Sequence, residues 1–108
     1  MRSALSLALV AVVCLTGAAA HAADPPAKML FLSKSAGFEH SAIKQENGQP
    51  SVAEKVLTEV CKAMGIELTC TKDASLITAE NLKNYKTVIF YTTGFLTEEG
   101  TDGQPPMG

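Results

Sequence analysis

The sequence predicts an α/β domain built on a parallel β-sheet, and three observations support this prediction. Residues 29–32 and 87–93 form apolar runs that are continuous rather than alternating, which is typical of strands covered on both faces. Between them, apolar residues recur at the three- and four-residue spacing of an amphipathic helix. The order strand, helix, strand, helix, strand predicts a right-handed, doubly wound unit with helices on both faces of the sheet.

The first 22 residues have the features of a secretory signal peptide. Arg2 supplies a positive charge, a short apolar segment follows, and residues 20–22 form an A-x-A cleavage signal. The apolar segment covers about a dozen residues, well under the roughly 20 that a membrane-crossing helix needs. We therefore expect residues 1–22 to be removed, no stable membrane anchor to remain, and residues 23–108 to be periplasmic or secreted.

Composition argues against two classes of function. The chain has 9 Lys and Arg against 11 Asp and Glu, a net charge of −2 at pH 7, and no basic stripe interleaved with aromatic residues. We therefore expect no nucleic-acid partner. After loss of His21 with the signal peptide, His40 is the only histidine, and neither H-x-x-H nor C-x-x-C occurs, so no metal site is predicted.

The central helix has clear sequence signals at both ends. Ser51 and Glu54 form a capping box, S-x-x-E, and Gly65 fits the position just past the helix end. We expect a single apolar stripe that faces the sheet and leaves Glu54 off it. The stripe consists of Val52, Val56, Leu57, Val60, Cys61 and Met64.

Two further strands and a short helix complete the predicted unit. Residues 66–71 alternate between apolar and polar side chains, which suggests an edge strand. Residues 78–85 predict a short helix capped by Thr78. Residues 87–93 are apolar on both sides, as in a central strand, yet nothing after them would cover a far edge. We therefore expect residues 23–108 to be the first part of a longer domain.

Two segments, K-M-L-F-L-S-K-S-A-G-F-E-H-S at 28–41 and D-A-S-L-I-T-A-E-N-L-K-N-Y-K-T-V-I-F-Y-T-T-G at 73–94, resemble the start of the ThuA-like (trehalose-utilisation) family. The resemblance rests on a glycine-phenylalanine-x-histidine loop ending at His40, an N-L-x-x-Y helix end, and a strand ending at Gly94. It implies a flavodoxin-like, three-layer α/β/α domain of the class I glutamine amidotransferase-like superfamily, associated with sugar metabolism. About three strands and two helices of that domain would be present, and the missing C-terminal part would be a partner. No cofactor is expected.

His40 is the candidate catalytic residue. It lies in the loop after the first strand, and open parallel sheets bind ligands beyond the carboxyl ends of their strands. An imidazole suits proton transfer near neutral pH or hydrogen bonding to sugar hydroxyls. The structural alternative is that His40 caps or packs the loop, with Ser41 beginning a helical turn.

Five residues are candidates for ligand contacts. They lie in the first loop or at the end of the third strand: Ser35, Gly37, Ser41, Thr93 and Gly94. Residues 33–37 superficially suggest a phosphate cradle, but neither G-x-G-x-x-G nor G-x-x-x-x-G-K-[ST] is present.

Cys61 and Cys70 fall on apolar faces of neighbouring elements, and two alternatives stay open. A disulfide can persist in an exported protein, but it requires Cα atoms within about 7 Å. Two buried free thiols are the other alternative.

The sequence leaves enzymatic activity undecided. One hypothesis is hydrolysis, or another acid/base transformation, of an oxidised sugar during carbohydrate utilisation. The alternative is a non-catalytic carbohydrate-binding or interaction module, and a redox flavoprotein is a third. A second histidine or a carboxylate facing His40 would favour an enzyme, whereas aromatic platforms without such groups would favour binding.

Overall fold

A computed structural model describes residues 24–108, so the predicted signal peptide at residues 1–22 lies outside the described residues. Three strands and two α-helices follow one another along the chain: β1 (Lys28–Leu32), α1 (Val52–Ala63), β2 (Glu67–Thr71), α2 (Ala79–Leu82) and β3 (Thr87–Phe90). Two short 3₁₀ helices, Ser41–Ile43 and Ala74–Leu76, lie in the connections.

The three strands form one parallel sheet in the order β2-β1-β3. This confirms the predicted α/β class, and the order is that of the first three strands of a flavodoxin-like sheet. Right-handed connections, which are the rule between parallel strands, would place α1 and α2 on opposite faces. Within residues 24–108 the far edge of β3 is uncovered, as expected from the sequence, because β3 pairs there with β1 alone and Phe90 is 50% exposed.

The core is centred on β1. Leu30, Phe31 and Leu32 are at most 1% exposed, and Ile43 from the first 3₁₀ helix is fully buried against the same core. β1 lies between two paired strands and its last three residues are buried, which accounts for its continuous apolar run.

The capping box of α1 forms as predicted, but Glu54 is not on a solvent-facing side. The Glu54 amide donates to Ser51 Oγ at 3.2 Å, and the Ser51 amide donates to the Glu54 carboxylate at 2.6 Å. Gln45 Nε2 donates to the same carboxylate at 2.7 Å. Glu54 is consequently only 4% exposed, because its side chain turns back over the first helical turn and is held there by two donors.

The predicted single apolar stripe on α1 divides into two rows. Leu57 is half-buried and Cys61 is buried, so these residues face the sheet. The other four members are exposed: Val52, Val56, Val60 and Met64. Successive helical residues are separated by about 100°, so this valine row lies roughly a quarter turn away from Leu57 and Cys61. A sheet of three short strands covers only the nearer row.

No helix in the part of the chain that the structure describes is long and apolar enough to cross a membrane.

Removing the cap of α1 should destabilise the fold more than trimming the valine row. We expect Ser51→Ala to lower the free energy of unfolding by about 1 kcal/mol, because the Glu54 amide loses its acceptor. Val56→Ala should change it by less than about 0.5 kcal/mol, because Val56 is 57% exposed. Urea unfolding followed by circular dichroism measures both. A loss of about 2 kcal/mol or more for Val56→Ala would mean that the valine row is covered.

Candidate functional site

The segments that follow β1 and β3 meet at the carboxyl edge of the sheet. Ser35 and Thr93 form a parallel bridge, and the Ala36 amide donates to the Thr93 carbonyl at 2.9 Å. The Thr93 hydroxyl donates to the Phe38 carbonyl at 2.7 Å. The structure thus brings four of the five ligand-contact candidates together, since Gly37 and Gly94 pack against each other in the same place.

Gly94 packs closely against the backbone of the loop that follows β1. Its φ is +71°, and a Cβ added there would lie 2.6 to 2.8 Å from backbone atoms of Ala36 and Gly37. A side chain at this position is therefore excluded both by the left-handed backbone and by lack of space. Gly37 is different, because a Cβ there would meet Gly94 and Thr93 only at ordinary distances of 3.5 to 3.7 Å.

The remaining serine candidates lie in different environments. Ser35 is fully buried, and its hydroxyl has no hydrogen-bond partner within residues 24–108. Ser41 is exposed and begins the first 3₁₀ helix. It lines a shallow depression with Lys44 and Lys55, and none of the other four candidates lines that depression. Ser41 is therefore not part of the group that Thr93 and Gly94 form.

His40 lies between two aromatic rings at this edge. Its ring centroid is 5.1 Å from that of Phe38, in an edge-to-face arrangement, and 5.7 Å from that of Tyr91. His40 precedes the first 3₁₀ helix at its cap position, but its side chain makes no capping hydrogen bond. We call Phe38, His40 and Tyr91 the aromatic patch. All three are exposed, with Phe38 at 73% and Tyr91 at 38%.

A buried charged cluster that was not predicted from the sequence lies beside the loops. Lys72, the first residue after β2, donates from Nζ to the Ser33 carbonyl at 2.9 Å and to Glu39 at 3.1 Å. Its Nζ is also 3.7 Å from the Asp102 carboxylate. Lys72 could have been recognised as a site candidate from the sequence, because it directly follows a predicted strand, as the loop residues after β1 and β3 do. The ion pair of Lys72 with Asp102 could not be predicted, because the two residues lie far apart in sequence and belong to no common motif.

Lys34 is the second buried lysine of the edge. It is fully buried, and its Nζ donates to the carbonyls of Gln104 at 2.6 Å and Pro105 at 3.0 Å. Lys34 therefore ties the chain around residues 104–105 to the end of β1. The arrangement differs from a phosphate cradle, in which the ammonium group would face an open, glycine-rich loop.

Residues 24–108 contain no group of three or more His, Cys, Asp or Glu side chains that could hold a metal ion. A depression of about 610 Å³ lies at the opposite, amino end of the sheet, lined by residues 24–28 and 83–86. We assign the candidate site to the carboxyl edge, because parallel sheets bind ligands there and because the polar and aromatic groups converge there.

Both cysteines of the described chain are free thiols. Cys61 is buried, with its Sγ 4.0 Å from Met29 Sδ, and Cys70 is half-buried. Burial raises the pKa of Cys70 from 9.0 to about 11, and the nearby Glu54 and Cys61 add to the increase, outweighing a hydrogen bond from Thr58. Cys70 is thus protonated at neutral pH and unsuited to act as a nucleophile.

Comparison of the chain with protein-family models, with curated proteins and with solved structures finds no match in any of the three. The likeness to the ThuA-like family therefore rests on the residues of the two segments at 28–41 and 73–94.

Two glycines of the site should respond differently to substitution. We expect Gly94→Ala to lower the free energy of unfolding by about 2 kcal/mol or more, because the new Cβ would overlap the Ala36 backbone at a positive φ. Gly37→Ala should be neutral or stabilising by up to about 1 kcal/mol, because its Cβ has room. Equal losses of stability for the two variants, measured by urea unfolding, would contradict the close approach at Gly94.

The Cys70 thiol should make stability depend on pH in the alkaline range. Because folding raises its pKa from 9.0 to about 11, the folded state holds the proton more tightly. The resulting stabilisation is complete below pH 9 and is lost as the pH rises to about 11. Urea unfolding under reducing conditions at pH 8 to 11 should show a steeper decline for the unaltered chain than for Cys70→Ala. Parallel declines would show that the thiol is not shielded.

Proposed function

We propose that the chain is part of an exported ThuA-like domain that acts on a sugar or sugar derivative at the carboxyl edge of its sheet. The observation that supports this proposal is the aromatic patch. Exposed apolar surface that is rimmed by polar groups is typical of binding sites. The C–H face of a sugar ring can pack against Phe38 and Tyr91, while nearby polar groups bind its hydroxyls.

His40 has a defined role in this proposal. Its ring lies between Phe38 and Tyr91, and its side chain does not cap the 3₁₀ helix that follows it. Its nitrogens are therefore available to a ligand. They can donate or accept a hydrogen bond from a sugar hydroxyl, or move a proton in a hydrolytic or other acid/base step.

The second candidate function is a non-catalytic carbohydrate-binding module. The same patch favours this alternative. An acid/base step on a sugar commonly uses two ionisable groups. Among the described residues, only His40 lies between the aromatic rings. Glu39, its neighbour in sequence, is held by Lys72 instead. Binding is common to both candidates, and only a test for turnover separates them.

Loss of Phe38 should weaken sugar binding. We expect Phe38→Ala to weaken binding of a neutral sugar by about fivefold or more, equivalent to roughly 1 kcal/mol, because an aromatic contact of the patch is lost. Titration calorimetry or NMR with glucose and trehalose measures the effect. Phe95→Ala is the matched control, because Phe95 is also 73% exposed but lies outside the patch.

The same titrations decide the role of His40. If His40→Ala leaves both binding and turnover of the sugar panel unchanged, His40 only packs between the rings. If Phe38→Ala and Phe95→Ala have equal effects, the patch is not the binding surface. Absence of binding for every sugar would refute the proposed function itself.

A further inference from the structure

The carboxylate of Asp102 occupies a buried site made by groups of the β1 and β2 ends. One of its oxygens accepts a hydrogen bond from the Ser35 amide at 2.9 Å and lies 3.7 Å from Lys72 Nζ. The other oxygen accepts from the Gln104 amide at 3.0 Å. The Asp102 side chain is only 4% exposed. A backbone N–H group and an ammonium group thus converge on one carboxylate out of contact with water.

Two hydroxyl groups on the segment that follows β1 have no partner. Ser33 and Ser35 are fully buried, and within residues 24–108 neither Oγ forms a hydrogen bond. Buried hydroxyl groups are normally paired, and an unpaired one destabilises the fold. The segment after β1 therefore carries two hydroxyl donors that the described residues leave unused.

Asp102 reaches the site on a segment that is held mainly by polar contacts. We call residues 100–105 the latch segment. The Thr101 hydroxyl contacts the carbonyls of Ser35 and Gly37, and Lys34 contacts those of Gln104 and Pro105. Water can replace each of these hydrogen bonds when the segment leaves. A segment without buried apolar side chains belongs to the least stable parts of a fold and can detach without global unfolding.

The latch segment fits tightly around Gly100. A Cβ added there would overlap Asp102 Oδ1 and would lie 2.9 Å from the Ser35 carbonyl and 3.0 Å from Lys34 Nζ. The position of the Asp102 carboxylate therefore depends on glycine at 100. This provides a way to displace the carboxylate without removing a charge.

The site also adjoins the aromatic patch. Thr101 contacts the carbonyl of Gly37, the residue before Phe38, and the Thr93 hydroxyl donates to the Phe38 carbonyl. A ligand that packs a ring on the patch could place a charged substituent where Asp102 now lies.

We propose that Asp102 is a displaceable internal ligand, and that the site accepts the carboxylate of an acidic sugar. This inference rests on the proposed sugar-binding function and specifies the class of sugar. When the latch segment detaches, the Ser35 amide loses its acceptor and Lys72 retains only Glu39 as a carboxylate partner. Buried donors of this kind favour an anion over a neutral hydroxyl. Binding is non-covalent, and the ligand carboxylate takes over the hydrogen bonds of Asp102.

The test compares D-glucuronate with D-glucose, which share a ring and differ by one carboxylate. In the unaltered chain, Asp102 competes with the ligand and reduces its apparent affinity. Asp102→Asn should strengthen glucuronate binding by about tenfold and change glucose binding by less than about twofold. Glu80→Gln is the matched control, since it removes the same charge from an exposed pair with Lys83 and should change neither affinity.

A second variant covers the case in which Asp102→Asn does not fold. Gly100→Ala keeps every charge but displaces the Asp102 carboxylate, so it should also strengthen glucuronate binding selectively. Circular dichroism confirms folding of each variant before titration. If folded Asp102→Asn and Gly100→Ala bind glucuronate no more tightly than the unaltered chain does, Asp102 is only a structural ion pair and the inference is overturned.

Further outcomes separate this inference from the proposed function. If glucose binds and glucuronate binds no better in any variant, the carboxylate site is refuted and sugar binding stands. If neither sugar binds but acetate alone binds to Asp102→Asn more tightly than to the unaltered chain, the carboxylate site is supported and the sugar function is refuted.

Discussion

The structure depends on β1 pairing with a parallel strand on each side. Lys28 is in register with Glu67 of β2, and Met29 with Thr87 of β3. Because all three strands run in one direction, their carboxyl ends coincide, and the residues after each end are brought to one edge. The buried residues of β1, the loop that holds His40, and the position of Lys72 all follow from this arrangement.

Charge and hydrophobicity are separated at that edge. The inner part contains two lysines, of which Lys34 is bound by backbone carbonyls and Lys72 by Glu39 and Asp102. Each buried ammonium group is thus paired with several acceptors, which limits the free-energy cost of its burial. The outer part carries the aromatic patch. A ligand at this edge would meet the aromatic patch at the surface, with the buried charged groups beneath it.

The parts of the fold that local patterns encode were predictable. The order of elements, the capping box at Ser51 and the strand β1 each depend on residues close together in sequence. The exposed valine row was not predictable, because apolar periodicity does not indicate how wide a face the sheet covers. Burial of Glu54 also depends on Gln45, outside the helix. The contact of Lys72 with Asp102 depends on how the chain folds after β3, so the charged half of the site could not be derived from spacing.

The close packing of Gly94 has a consequence for recognising relatives of this chain. The loop motif that suggests a family includes Gly37, but a Cβ at Gly37 would make only ordinary contacts, so that position is physically free to vary. Position 94 is not, because a Cβ there would overlap the backbone at Ala36. A protein that shares this strand-end geometry should therefore keep a glycine after its third strand even where its first loop has diverged, and the third strand is the more informative signature in a sequence search.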